Sequence, residues 1–389
     1  MIKGIKVMLI PNNKQNTKLF QYAGASRFAY NWTLEKQQQN YKSGGKFIDD
    51  GELRKEFTQL KKQEGYEWLN SISNNVTKQA IKDACNAYKR FFKGESKFPR
   101  FKNKKKAALK FYQDVEKIQF NGTHVKFEGF SASKKKNKQK LNWVRLAEHN
   151  RIPFGENVKY ANPRVSFDGL NWWISVGIED EDEVKQPANE GIGIDLGIKD
   201  LAICSDIDKP YKNINKTSKV KKIKKKLRRL QRKISKKYEM NKEGSCYKKT
   251  CNIIKLENKL KRVHHQLKGI RHNYLHQTTS EIVSREPMFI VLEDLAVSNM
   301  MKNKHLAKSI QEQCFCEFYR QLEYKSLWNN VKFILADRFY PSSKMCSVCG
   351  TIDKNLKLSD RTYICECGNK MDRDKNASVN LKKVGELAI

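Results

Sequence analysis

No stretch of this sequence carries the roughly 20 consecutive apolar residues that a bilayer-spanning helix needs, and its opening, MIKGIKVMLI, lacks the apolar region of a secretory signal. The expectation is a chain of the cytosol or nucleoid with no membrane partner. Nor does any segment recur at the spacing of a solenoid. Acidic residues are scarce: 42 Asp and Glu stand against 78 Lys and Arg, a formal charge of +36 and a pI near 9.7. A surface charged only for solubility mixes the two signs, and an excess of this size destabilises the compact state by self-repulsion. The imbalance therefore implies a polyanionic partner, nucleic acid. With 39% hydrophobic residues among 389, the chain has the material for two or three cores.

Residues 1–10 alternate as a strand, and Pro11-Asn12-Asn13 supplies a turn before an apolar-periodic helix expected to begin near Thr17. Helical periodicity holds to about Phe92, with Val76, Ala80, Ala84, Ala87, Tyr88 and Phe91 on one late stripe. Beyond a Lys-rich loop, KIQFNGTHVKFEGF and VSFDGLNWWISVGI predict hairpins around Asn121-Gly122 and Asp168-Gly169. The expected arrangement is a β-barrel of residues 1–16 and 111–187 with a helical domain, 17–110, inserted into it. The acidic segment EDEDEVKQPANE, 179–190, reads as a linker, and a second, α/β domain starts near residue 188.

After Thr217 two long helices follow. Val220, Ile223, Leu227, Leu230 and Ile234 line one, and Leu256, Leu260, Val263, Leu267 and Ile270 line the other, so the two should pair as a hairpin. The first holds twelve Lys or Arg between Lys219 and Lys237 and no acid that would balance them at i±4. Lys221, Lys225, Arg228, Arg229 and Arg232 are read as contacts to a nucleic-acid backbone.

Ten cysteines without a secretory signal point to metal binding in a reducing compartment, not to disulfides. Cys346-Ser-Val-Cys349, then fifteen residues, then Cys365-Glu-Cys367 offers four soft ligands in two tight turns, the set of a closed structural Zn²⁺ site. Gly350 and Gly368, one after each pair, suit the positive φ that brings backbone amides to the sulfurs. Cys85, Cys204, Cys246, Cys251, Cys314 and Cys316 lack matching knuckles and read as buried thiols. His272 and His276 lie four apart on a helix, but no third ligand is near in sequence, and packing is the expected role.

Three acids stand on separate elements. Asp195 lies in the apolar strand GIGIDLGIKD, where Gly193 and Gly197 are expected to leave room for a nucleic-acid backbone. Glu293 ends FIVLEDL, and because neighbouring strand residues face opposite ways, only one of Glu293 and Asp294 can share a site with Asp195. Asp374 opens the last helix in MDRDKNASVNL. A few carboxylates holding two Mg²⁺ ions supply what phosphodiester hydrolysis needs, an activated water and a stabilised leaving oxygen.

In IDLGIKDLA, LEDL, PSSKMCSVCG and CECGNKMDRDKNASVNL, taken in that order, the chain resembles the TnpB family of transposon-associated RNA-guided DNA endonucleases, relatives of type V CRISPR effectors. IKVMLIPNNKQ and SRFAYNWTLE are similar to the family's opening strand and helix. The resemblance implies a multidomain α/β protein. A wedge-type barrel and a helical recognition domain would precede an RNase H-like (RuvC) nuclease domain of residues 188–342 and 372–389, interrupted by a zinc ribbon at 343–371. It implies two catalytic Mg²⁺ on Asp195, Glu293 and Asp374, one structural Zn²⁺, and a role for Arg361 in stabilising phosphate charge. Asp372, two residues from Asp374, reads as a helix cap. The implied partners are a guide RNA from the transposon end and double-stranded DNA next to a short flanking motif, which Lys78, Gln79 and Lys82 would approach. A monomer is expected. The alternatives are a nuclease-inactive, RNA-guided repressor and a compact type V effector.

Overall fold

The structure is a computed structural model that describes residues 2–104, 107–130, 141–179, 186–357 and 360–388. Contacts between residues divide the chain into two units, Met1–Asp182 and Glu183–Ile389. Of the expected linker, residues 180–185 lie outside the described residues.

In the first unit, alternation in IKGIKVMLI buries Val7 and Leu9 and forms β1 (Ile2–Ile10). Helices α1 (Asn13–Lys42), α2 (Asp50–Leu60) and α3 (Asn74–Phe92) follow. The helix expected from Thr17 begins at Asn13, because Asn12 accepts the Gln15 amide (2.9 Å) while the Gln15 side chain accepts the Asn12 amide (3.0 Å), a capping box. Strands β2 (Leu109–Tyr112), β3 (Gln119–Phe120), β4 (His124–Lys126), β5 (Trp143–Leu146), β6 (Tyr160–Phe167) and β7 (Trp172–Glu179) complete an antiparallel sheet in the order β2-β6-β7-β1-β5-β4-β3. The two predicted hairpins are β3–β4 and β6–β7, with Gly122 and Gly169 at φ +81° and +96°. Closure into the expected barrel is not seen among the described residues. The edge strands β2 and β3 do not pair, and β3, at two residues, has little ladder to offer.

The second unit opens with β8 (Ile192–Leu196), β9 (Asp200–Cys204) and β10 (Tyr211–Lys212), then α4 (Ser218–Glu239), β11 (Lys242–Glu243), β12 (Cys246–Tyr247) and α5 (Cys251–Val283). It continues through β13 (Phe289–Glu293), α6 (Val297–Met300), α7 (Ala307–Gln313), α8 (Phe315–Trp328), β14 (Lys332–Ala336), β15 (Thr362–Ile364), β16 (Lys370–Asp372) and α9 (Arg373–Glu386). A five-stranded sheet runs β10-β9-β8-β13-β14, with β13 parallel to β8 and β14, and β9 antiparallel to β8 and β10. Ile290 and Leu292 of β13 pack with Leu275 and Ile282 of α5 and Phe318 and Leu322 of α8. On the other face, Phe289 and Val291 pack with Leu381 of α9. The α4–α5 hairpin closes on Val220, Ile223, Val263 and Leu267. Among the described residues no helix is long and apolar enough to cross a membrane.

Candidate functional site

Parallel pairing of β8 and β13 aligns Leu292 with Ile194, so the next residues, Glu293 at the end of β13 and Asp195 one before the end of β8, come side by side. Phe289, Val291 and Glu293 alternate onto the α9 face. Glu293 thus faces α9, whereas Asp294 leaves the strand and pairs with Arg338. The third acid, Asp374, sits in the first turn of α9, with Asp372 as N-cap accepting the amides of Asp374 (2.9 Å) and Lys375 (3.2 Å).

Close packing of α9 on the sheet depends on Gly193. A Cβ there would lie 2.0 Å from the Ser378 carbonyl oxygen and 2.3 Å from the Lys382 amide nitrogen. The space expected for a nucleic-acid backbone is thus taken by the helix, and at Gly197 a Cβ would meet the Asp200 carbonyl at 3.2 Å. Both glycines serve the protein's own backbone. Lys375 fastens the start of α9 by donating to the carbonyls of Cys204 (3.2 Å), Ser205 (3.2 Å) and Ile207 (2.8 Å).

Burial pushes the Asp195 carboxyl well above its usual range, and the Glu293 and Asp374 carboxylates push it further, with Arg373 opposing them. Such mutual repulsion marks a site that a cation would relieve. Glu293 accepts the Ser342 hydroxyl, and its backbone carbonyl accepts the Tyr319 hydroxyl. Arg373 donates to Asp374 at 3.2 Å, and Arg361 lies 3.8 Å from the other Asp374 oxygen. The three acids are neighbours, but among the described residues they form no knot in which one oxygen from each lies within 4.8 Å of the others.

The four cysteines do form such a knot, with all sulfurs within 4.8 Å, Cys346 to Cys367 at 3.6 Å and Cys349 to Cys365 at 3.5 Å. Tetrahedral zinc with bonds of about 2.3 Å separates its sulfurs by about 3.8 Å, so the set fits that metal. Gly350 and Gly368 take φ +78° and +87°. Of the six cysteines expected as buried thiols, Cys85 and Cys204 are buried and Cys314 is half-buried, whereas Cys246, Cys251 and Cys316 are exposed. Burial raises the Cys346 thiol, yet the amides of Cys349 and Val348 and the Asn369 side chain outweigh it and bring it down to about 6.

Sequence reasoning missed what joins the two sites. Buried Asn376 accepts the Ser347 amide (2.9 Å) and donates to the Met345 carbonyl (2.6 Å); buried Asn380 donates to the carbonyls of Ser342 (2.8 Å) and Met345 (2.6 Å). Both amides therefore bind α9 to the backbone of the first cysteine knuckle. Their four-residue spacing beside Ala377 and Leu381 was the available signal, since a buried amide must find partners.

The expected nucleic-acid contacts divide between the two units. Lys221, Lys225, Arg228, Arg229 and Arg232 are exposed on α4, opposite its seam with α5. Lys78 and Lys82 are exposed on α3, whereas Gln79 donates to Asp83 (2.8 Å), which Arg164 also holds. His272 and His276 of α5 meet Glu317 of α8, the third potential ligand whose absence had made packing their expected role; all three ligating atoms fall within 4.8 Å.

Comparison with known proteins gives three matching family descriptions. They are "Helix-turn-helix domain" at residues 1–46, "Probable transposase" at 174–304 and "Cas12f1-like, TNB domain" at 315–381. Here the first of these ranges forms β1 and the unbroken helix α1. The chain is 30% identical to "Putative RNA-guided DNA endonuclease InsQ" of Escherichia coli (strain K12), with 100% of this chain and 93% of that protein covered. It is 29% identical to a "Putative RNA-guided DNA endonuclease" of Streptomyces pristinaespiralis, over 99% of this chain and 90% of that one. Among solved structures, the protein of a Cas12f1-sgRNA-target DNA complex shares the fold at TM-score 0.61 and 12% identity, covering 98% of both chains.

Proposed function

The chain belongs to the TnpB family of transposon-associated RNA-guided DNA endonucleases, and we propose that it cuts double-stranded DNA beside a short flanking motif, directed by a guide RNA from its transposon. The observation that carries this reading is the alignment of Asp195 and Glu293 on adjacent parallel strands with Asp374 packed against them. The sheet order, three antiparallel strands followed by two parallel ones, supports an RNase H-like, RuvC-type nuclease domain, with the cysteine ribbon placed between β14 and α9.

Asp195, Glu293 and Asp374 would hold Mg²⁺, a hard cation suited to oxygen ligands; when bound it supplies an activated water and charge stabilisation at the leaving oxygen. Around them the protein's own groups orient and balance charge. Ser342 fixes the Glu293 carboxylate, Arg373 holds Asp374, and Arg361 is near enough to neutralise an incoming phosphate. Cys346, Cys349, Cys365 and Cys367 would hold one structural Zn²⁺. The exposed cations of α4 suit a nucleic-acid backbone, and Lys78, Gln79 and Lys82 the flanking bases.

The test is to purify the protein with the RNA it retains, sequence that RNA, and offer matching duplex DNA with randomised flanks in Mg²⁺ or EDTA. Cleavage that needs RNA, metal and Asp195, and selects a flank, is expected. Tight, flank-selective binding without cutting would replace this reading with a guided repressor.

A further inference from the structure

His272 and His276 stand one turn apart on α5, their rings edge-on with centroids 4.4 Å apart, and Glu317 reaches them from α8. We propose that these three side chains form a second metal site, which takes a late first-row divalent cation such as Zn²⁺ or Ni²⁺ and joins α5 to α8. It lies with the core that covers the sheet face opposite α9, and so apart from the three acids.

Geometry comes first. Bonds of about 2.0–2.1 Å in a tetrahedral site set ligand atoms about 3.3 Å apart; His272 Nε2 and Glu317 Oε1 are already at 3.4 Å, and a His276 ring nitrogen lies within 4.8 Å of the other two ligand atoms. Both helices are anchored beneath the site by buried Leu275 and Ile282 on one side and Phe318 and Leu322 on the other, so the donors project from fixed backbones. Two imidazoles with one carboxylate favour zinc, nickel or copper over magnesium. Exposed His272 leaves an entry path and a position for water.

Competition sets the strength. Glu317 also accepts Arg320 Nε (2.9 Å) and Nη2 (2.7 Å) and Gln321 Nε2 (2.9 Å). A carboxylate has about four lone-pair sites; Oε1 already accepts two of these bonds and Oε2 one, so the open site is on Oε2, and Oε1 binds the ion only by releasing Arg320 Nη2 or Gln321 Nε2. Arg320, and Lys325 whose ammonium donates to the His276 carbonyl (2.8 Å), repel a cation and weaken the site. Removing Arg320 should therefore strengthen binding.

The experiment is calorimetric titration of Ni²⁺ into the full-length protein, its ribbon filled with zinc and excess Mg²⁺ present to occupy the acids. One further equivalent is expected in the wild type, weakened about tenfold or more in His272→Ala and in His276→Ala, and tightened in Arg320→Ala. Tightening cannot arise from misfolding. Identical isotherms for the wild type and the His272→Ala/His276→Ala variant, or unchanged affinity in Arg320→Ala, would overturn the site.

Discussion

The cysteine ribbon and the three-acid site are opposites in how they are assembled. Four sulfurs are gathered by one short stretch, Cys346 to Cys367, through two turns whose glycines sit at positive φ. The acids come from positions 195, 293 and 374 and meet only because β8 and β13 pair in one register and α9 packs on Gly193. A local site needs little from the fold, whereas a distributed one inherits every error in it. Here the local site also helps to place the distributed one, through Asn376 and Asn380. The expected dependence is one-way.

Substitutions within the acids should break the comparison most sharply. Glu293→Gln should lower guided cleavage on the order of 10³-fold, about 4 kcal/mol of barrier, while Asp294→Asn, which only loosens the exposed pair with Arg338, should leave most of it. Neither should change zinc content. Equal losses in the two variants would mean that strand alternation does not select the site.

Next is the ribbon itself. Cys346→Ser removes one of the four proposed ligands and should lower bound zinc, read by elemental analysis, with cleavage falling about tenfold as the anchor of α9 loosens. Full cleavage in zinc-depleted protein would separate the sites. Gly193→Ala asks the same of packing. Its new Cβ meets backbone atoms at 2.0 and 2.3 Å, so α9 must shift, at a cost of about 3 kcal/mol seen as a lower Tm with zinc retained. Asn376→Ala leaves the Ser347 amide and the Met345 carbonyl without this partner, costing about 2 kcal/mol. Retained zinc with reduced cleavage would identify Asn376 as a positioning residue.

What could be read from sequence follows the same division. The cysteine spacing, the strand alternation of FIVLE and the hairpin turns at Asn121-Gly122 and Asp168-Gly169 are local signals, and each names its own element. The apolar stripe points to a start of α1 near Thr17, whereas the Asn12 cap, equally local, sets it at Asn13. Gly193 shows the limit, since a missing side chain announces a close approach without saying what approaches. Glu317 was invisible beside His272 and His276 because only tertiary packing sets α8 against α5.

The smallest effect concerns Asp372, which a count of acids near α9 could mistake for a fourth ligand. Its exposed carboxylate accepts two amides of the first helical turn, the work of an N-cap, and its charge complements the helix dipole. Asp372→Ala should cost about 1 kcal/mol of stability, and Asp372→Asn only a few tenths, because an amide oxygen caps nearly as well. A metal ligand would respond differently, since Asn lacks the charge that holds a hard cation. Asp372→Asn should therefore cleave as the wild type does, while Asp374→Asn does not, and matching losses in the two would move the third ligand of the site, or add a fourth.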